Sequence, residues 1–176
     1  MKHGWYTAEL GRRLNKRVQA SSWADLRVYF DHGEKDMSKR TVPYFGEYGT
    51  STTLAFVDIA VVNEQSGKVL VLCEVEEEGA NPKKVIGDCL NIFLSDYVSI
   101  GRKRYNPRGA HFILGARVDE KGNSKDKISK LEHRIPNIIR KDALKGMRLK
   151  FIPVSDPDRL LDRLEDRICR IIGIRN

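Results

Sequence analysis

Leu54-Ala-Phe-Val-Asp-Ile-Ala-Val-Val62 and Lys68-Val-Leu-Val-Leu-Cys-Glu-Val-Glu76 are two apolar runs separated by Asn63-Glu-Gln-Ser-Gly67. Runs of this length, rich in Val, Ile and Leu and joined by a polar turn containing Gly, predict a buried β-hairpin. Side chains alternate along a strand, so Glu74 and Glu76 are expected to share a face with Leu70 and Leu72, while Val69, Val71, Cys73 and Val75 take the other. Asp58 stands on the neighbouring strand between Val57 and Ile59. Asp is depleted in strands unless something holds it, and carboxylates at the end of an apolar strand are costly unless paired, hydrogen-bonded or bound to a cation. Asp58, Glu74 and Glu76 therefore read as candidate ligands of a hard cation such as Mg²⁺ or Mn²⁺. The plainer reading is a solvated acidic strand end, since Glu77 and Glu78 continue the run.

Working outward, Thr7 to about Phe30 carries Leu10, Leu14, Val18, Trp23, Leu26 and Phe30 among charges, which fits one or two amphipathic helices with a break near Ser21-Ser22. Residues His32 to Ser51 are polar, with Gly33, Pro43, Gly46 and Gly49, and read as a loop or short irregular element. After the hairpin, Pro82 suits a helix start, and Val85, Ile86, Cys89, Leu90, Ile92, Phe93 and Tyr97 recur at helical spacing up to about Ser99. A basic loop from Gly101 to Gly109 leads to a short buried strand, Ala110 to Arg117. Lys125 to about Ala143 reads as a helix, Met147 to Val154 as a strand and Asp158 to about Ile172 as a terminal helix. Ser155-Asp-Pro-Asp158 reads as the cap of that last helix. The order predicts an α/β protein with a mixed sheet, the hairpin antiparallel and the later strands reached by helical crossovers.

The 176 residues fit a single domain, 1–176, able to bury its own core. Hydrophobic residues at 40% and charged residues at 32% argue against a disordered or membrane-spanning chain. The start Met1-Lys-His-Gly-Trp-Tyr lacks a signal-like apolar stretch, and Cys73, Cys89 and Cys169 have no metal or disulfide spacing. A reduced, cytoplasmic protein is the expectation, with Cys73 and Cys89 as small core residues. The four histidines are dispersed and suggest neither ligands nor bases.

A net charge of +8 favours polyanionic partners if the excess is gathered. Two clusters stand out: Arg12, Arg13, Lys16 and Arg17 early, and Arg102, Lys103, Arg104, Tyr105 and Arg108 in the basic loop. Each alone is also compatible with a solvated face, but both beside an acidic metal-type site make nucleic acid the expected partner. Tyr105 is the candidate for stacking on an exposed base.

The helix, the hairpin bearing Asp58 and then Glu74-Val-Glu76, the following helix and strand together resemble the PD-(D/E)xK nuclease superfamily over roughly Thr7 to Arg117. The resemblance implies a restriction-endonuclease-like αβββαβ-type core, a central mixed sheet flanked by helices, and Mg²⁺-dependent hydrolysis of DNA phosphodiesters. Asp58 matches the family's Asp and Glu74 its second acid. Glu76 stands where the family has Lys, and Val57 where it has Pro. A Glu-x-Glu variant exists in a subset of restriction endonucleases, and others move the Lys to the next helix, where Lys84 is the candidate and Lys83 the lesser one. By resemblance, Asp58 and Glu74 hold the metal, Glu76 completes its shell or accepts a proton from the attacking water, and Lys84 steadies the pentacovalent phosphate. Glu9 and Glu47 are rival candidates for an outer ligand, and a homodimer is implied by the same analogy. The opposing class is a catalytically inactive nucleic-acid-binding module on the same scaffold.

Overall fold

The computed structural model describes residues 4–32, 40–77, 81–118, 124–139, 142 and 144–174. The predicted hairpin is present as β3 (Ile59–Asn63) and β4 (Lys68–Glu76), antiparallel, with the first strand beginning just after Asp58. Four of the five β3 residues are buried, so burial on both faces explains the unbroken apolar run. β7 (His111–Arg117) lies parallel to β4, and β8 (Arg148–Val154) parallel to β7. The predicted mixed sheet thus forms, and its second strand edge is closed by β1 (Leu26–Phe30), antiparallel to β3, giving the order β1-β3-β4-β7-β8.

Helices cover both faces. α1 (Trp5–Ala20) and α4 (Pro157–Ile172) pack on one side with Val71, Cys73 and Val75 of β4. α2 (Pro82–Leu94) and α3 (Ser124–Ile138) pack on the other with Val69 and Leu72. Val69 was expected beside Val71 and lies instead with Leu72. The ladder explains the switch: Val61 pairs with Val71 but Val62 with Val69, so Leu70 is the extra residue of a β-bulge and alternation slips there by one. Beyond the bulge the expected phase holds, and Glu74 and Glu76 share the α2 side with Leu72.

Several boundaries differ from expectation, among them α3, which ends at Ile138 and not near Ala143. Leu26 to Phe30 is a strand, not a second helix, because Leu26 and Val28 alternate into the core while Trp23 remains half-exposed. Part of the predicted loop forms β2 (Thr41–Tyr44), and the predicted long helix stops at Leu94, with Ser95 capping its end through the Ile92 carbonyl. Tyr97–Ile100 is then a strand, β5, which turns through Gly101-Arg102, with Gly101 at φ 61°, into β6 (Lys103–Tyr105). β2, β5 and β6 make a second, three-stranded antiparallel sheet, in which Pro43 is tolerated because β2 is an edge. At α4 the side chain that caps the helix is Asp156, accepting from the Asp158 N–H, and not Ser155. All three cysteines are free and buried, as core residues should be. No helix among the described residues is long and apolar enough to cross a membrane.

Candidate functional site

The bend that precedes β3 carries Asp58 to the end of β4. There Asp58 Oδ2 accepts the Val75 backbone N–H at 2.8 Å, and the Asp58 and Glu74 carboxyls lie close enough to shift each other's titration. Two residues on, Glu76 is 5% exposed. Its Oε2 meets Lys84 Nζ at 2.8 Å, reaching over from the first turn of α2. α2 is aimed by Asn81, which accepts the Lys83 N–H, and by Pro82 at its first position. Lys84 is thereby delivered to the acidic pair, whereas Lys83 points to solvent.

A fourth carboxylate completes the group. Asp88 lies one helical turn beyond Lys84, and its Oδ2 is buried with no hydrogen-bond partner among the described residues. In the sequence Asp88 is an ordinary polar position of an amphipathic helix and so does not stand out. The i, i+4 spacing from Lys84 was the signal that could have found it.

The electrostatics follow from crowding four acids into a poorly solvated corner. Burial pushes the Glu74 carboxyl well above its ordinary value, and the charges of Asp58 and Asp88 push it further. Burial also raises Asp58, opposed by the Val75 N–H and Glu74. Asp88 is raised to about 7, by burial first and Glu76 next, with Lys84 pulling it down. Lys84 is itself raised: burial, the largest single effect, lowers it, but the hydrogen bond and charge of Glu76 with the charges of Asp88 and Asp58 together outweigh burial. A cluster of oxygen donors that resists losing its protons, with one carboxylate oxygen unpartnered, has the donor chemistry of a hard-cation site. As the side chains stand, no three His, Cys, Asp or Glu residues among those described are arranged to hold an ion.

The other candidates are elsewhere. Glu9 is tied to Arg12 and Arg13 on α1, across the sheet from the cluster. Glu47 is exposed in the loop after β2 and does not join it. Glu77 takes another part: its carboxylate accepts the Gly4 and Tyr6 N–H groups at 3.1 and 3.0 Å and so caps α1, joining the N-terminal helix to the end of the site strand. Glu78 and His3 lie outside the described residues. Of the early basic cluster, Arg13 and Arg17 pair with Asp162 and Glu165 of α4, so much of that charge is spent on the α1/α4 seam.

The basic loop proves to be the β5–β6 hairpin, and its residues divide. Arg102 is exposed at the tip and Arg108 is exposed beyond β6. Arg104 lies over the Tyr97 ring at 4.5 Å. Lys103 is held by Glu64, which also accepts from the Tyr29 and Tyr105 hydroxyls at 2.8 and 2.7 Å. Tyr105, expected to stack on a base, is 2% exposed and belongs to the core on the α2 side. The correction has a simple cause: Tyr105 ends β6 with its ring packed in that core and its hydroxyl on Glu64, while Lys103 and Arg104 before it stay exposed.

No family model, curated protein or solved structure matches this chain.

Proposed function

We propose that this protein is a metal-dependent nuclease of the PD-(D/E)xK type, in its Glu-x-Glu variant, that hydrolyses phosphodiester bonds of DNA. The observation that carries the reading is the convergence of Asp58, Glu74, Glu76 and Asp88 with Lys84 at one corner of the sheet. The arrangement of a five-stranded mixed sheet with helices on both faces is compatible with that family's core.

In this reading Asp58 and Glu74 hold Mg²⁺ or Mn²⁺ through their carboxylate oxygens, and Glu76 or Asp88 supplies a further oxygen. The bound ion supplies charge neutralisation at the phosphate and a water of lowered pKa. The protein's own part is positional. The Val75 N–H fixes Asp58, the β4 backbone sets Glu74 and Glu76 on one face, and Lys84 offers an ammonium to the phosphate oxygens. A carboxylate of raised pKa such as Asp88 is suited to accept a proton near neutral pH. Arg102, Arg104 and Arg108 provide cationic contacts to the backbone of the substrate.

One observation favours the second reading, an inactive nucleic-acid-binding module. The described carboxylates do not stand as a ready ion site, and the Lys84 ammonium is already engaged by Glu76. Cleavage of plasmid and labelled oligonucleotides with Mg²⁺ or Mn²⁺ decides between them. Metal-dependent cutting that Asp58→Ala and Glu74→Ala both abolish supports the nuclease. Salt-sensitive binding with no cutting by the wild type supports the module.

A further inference from the structure

Beside the acidic corner, on the second sheet, lies a groove of about 390 Å³ lined by Arg40, Tyr44, Tyr48, Phe56 and Arg102 among others. That volume is within the range of small-ligand sites, about 300–1,000 Å³. Its aromatic rings are unusually open for their size: Tyr48 is 60% exposed and Phe56 53%. They are also organised. Tyr48 leans on Tyr44 with ring centroids 4.9 Å apart, and Tyr44 stacks on Tyr97 at 5.4 Å, so Tyr48 is the outermost of three rings. Arg40 lies over the Phe56 ring at 5.1 Å and meets Asp31 at 3.2 Å, which orients the guanidinium. Arg102 stands at the hairpin tip on the rim. Among the described residues that line the groove there is no carboxylate.

The groove is joined to the acidic corner by the chain itself. Val57 N–H donates to the Thr41 carbonyl, Asp31 N–H donates to the Asp58 carbonyl, and the same segment carries Phe56 and Asp58. Two residues of extended chain span at most about 7 Å, roughly the rise of two stacked nucleotides.

We propose that this groove binds an unstacked base of single-stranded nucleic acid, with Tyr48 and Phe56 as the stacking surfaces and Arg40 and Arg102 contacting the flanking phosphates. Open aromatic faces with arginines between them are what a strand without a partner recognises, because every base offers a π-face whatever its sequence. A base inside a duplex cannot reach such rings. The placement of that base next to the scissile phosphate rests on the nuclease reading; the binding itself does not. The substrate class is then a single strand, or a duplex with a single-stranded flap or end lying over the second sheet.

The test is fluorescence anisotropy on the full chain in EDTA, with a short fluorescein-labelled oligo-dT strand and a blunt duplex of equal length. The expected result is tighter binding of the single strand. Tyr48→Ala and Phe56→Ala should each weaken it about 5- to 100-fold, Tyr48→Phe should preserve it, and Arg102→Ala should make binding less salt-dependent. Equal affinity for strand and duplex, or aromatic variants that bind like wild type, overturns the proposal. A concentration-dependent dimer that Tyr48→Ala dissociates, with no response to oligo-dT, assigns the groove to a second copy and also overturns it. Because the assay contains no metal, its outcome is separable from cleavage. Aromatic-dependent binding without any cutting removes only the nuclease reading, and cutting with indifferent aromatic variants removes only this one.

Discussion

Lys84 Nζ and Glu76 Oε2 are 2.8 Å apart, a contact that joins the first turn of α2 to the last residue of β4. One partner is buried and the other is 61% exposed, so the pair lies at the edge of water. Removing the lysine leaves a buried carboxylate without its cation, which costs more than the loss of an ordinary surface pair.

Lys84→Met is therefore expected to lower stability by about 1–2 kcal/mol, and Lys83→Met to stay within about 0.5 kcal/mol of wild type. Urea denaturation of the two variants checks this. If the nuclease reading holds, Lys84→Met also slows cleavage by about 10²-fold with the substrate still bound. Equal effects of the two substitutions would remove Lys84 from the site.

Asp88 sets a pH dependence whose sign can be worked out. Its carboxyl titrates near 3.8 in an ordinary setting and at about 7 in the folded chain. Between those values the folded state keeps a proton that the unfolded state has released, so this group's contribution makes stability fall as pH rises from about 4 to 7. Asp88→Asn removes that slope. At about pH 8 the variant should be more stable than wild type by about 1–2 kcal/mol, allowing for partial solvent screening, and at about pH 4 the two should agree. Denaturation at both pH values reads the difference directly.

Divalent cations should compete with those protons. Mn²⁺ is expected to raise the unfolding midpoint more at about pH 8 than at about pH 6, with up to about 2.7 kcal/mol of stabilisation at a hundredfold excess over Kd. Asp58→Asn combined with Glu74→Gln should abolish the shift. A shift that survives in the double variant places the ion elsewhere.

Gly115 tests the packing beneath the site. A Cβ at this β7 position would lie 2.5 Å from Leu164 Cδ1 and 2.9 Å from Cδ2, on the α4 side of the sheet. Gly115→Ala should cost about 1–3 kcal/mol through overpacking, and Leu164→Ala in the same chain should recover part of that loss by making room. Thermal unfolding of the single and double variants measures the coupling.

The hairpin, the two parallel additions and the start of α2 were legible because each rests on a local signal: unbroken apolar runs, a polar turn, and Asn81-Pro82. β1 was not, since its five residues follow a helix closely and Leu26 and Phe30 also fit helical spacing. The second sheet was hidden by strands of three or four residues, one holding Pro43 and one mostly basic, and by the long separation in sequence between β2 and its partner β5. Asp58, Glu74 and Glu76 could be picked out because acids in apolar runs violate a rule, whereas Lys84 was reached only through the family resemblance. Asp88 breaks none, being an ordinary polar residue on an amphipathic helix until tertiary packing buries one of its oxygens. Tyr105 and Tyr48 could not be told apart from composition. Which aromatic is sunk and which is open depends on the pairing of β5 with β2 and β6.

The bulge at Leu70 leaves the acidic strand with one residue of slack. Without Leu70, Val69 would still oppose Val62 and Val71 would still oppose Val61, so every carboxylate would keep its side of the sheet. Deleting Cys73, past the bulge, has no such remedy close by and would turn Glu74 or Glu76 toward the wrong layer. Sequence length between turn and acids is thus tolerant of change at one end of β4 and intolerant at the other. Indels that this fold can accept should accumulate on the turn side of Val71, well away from the chemistry.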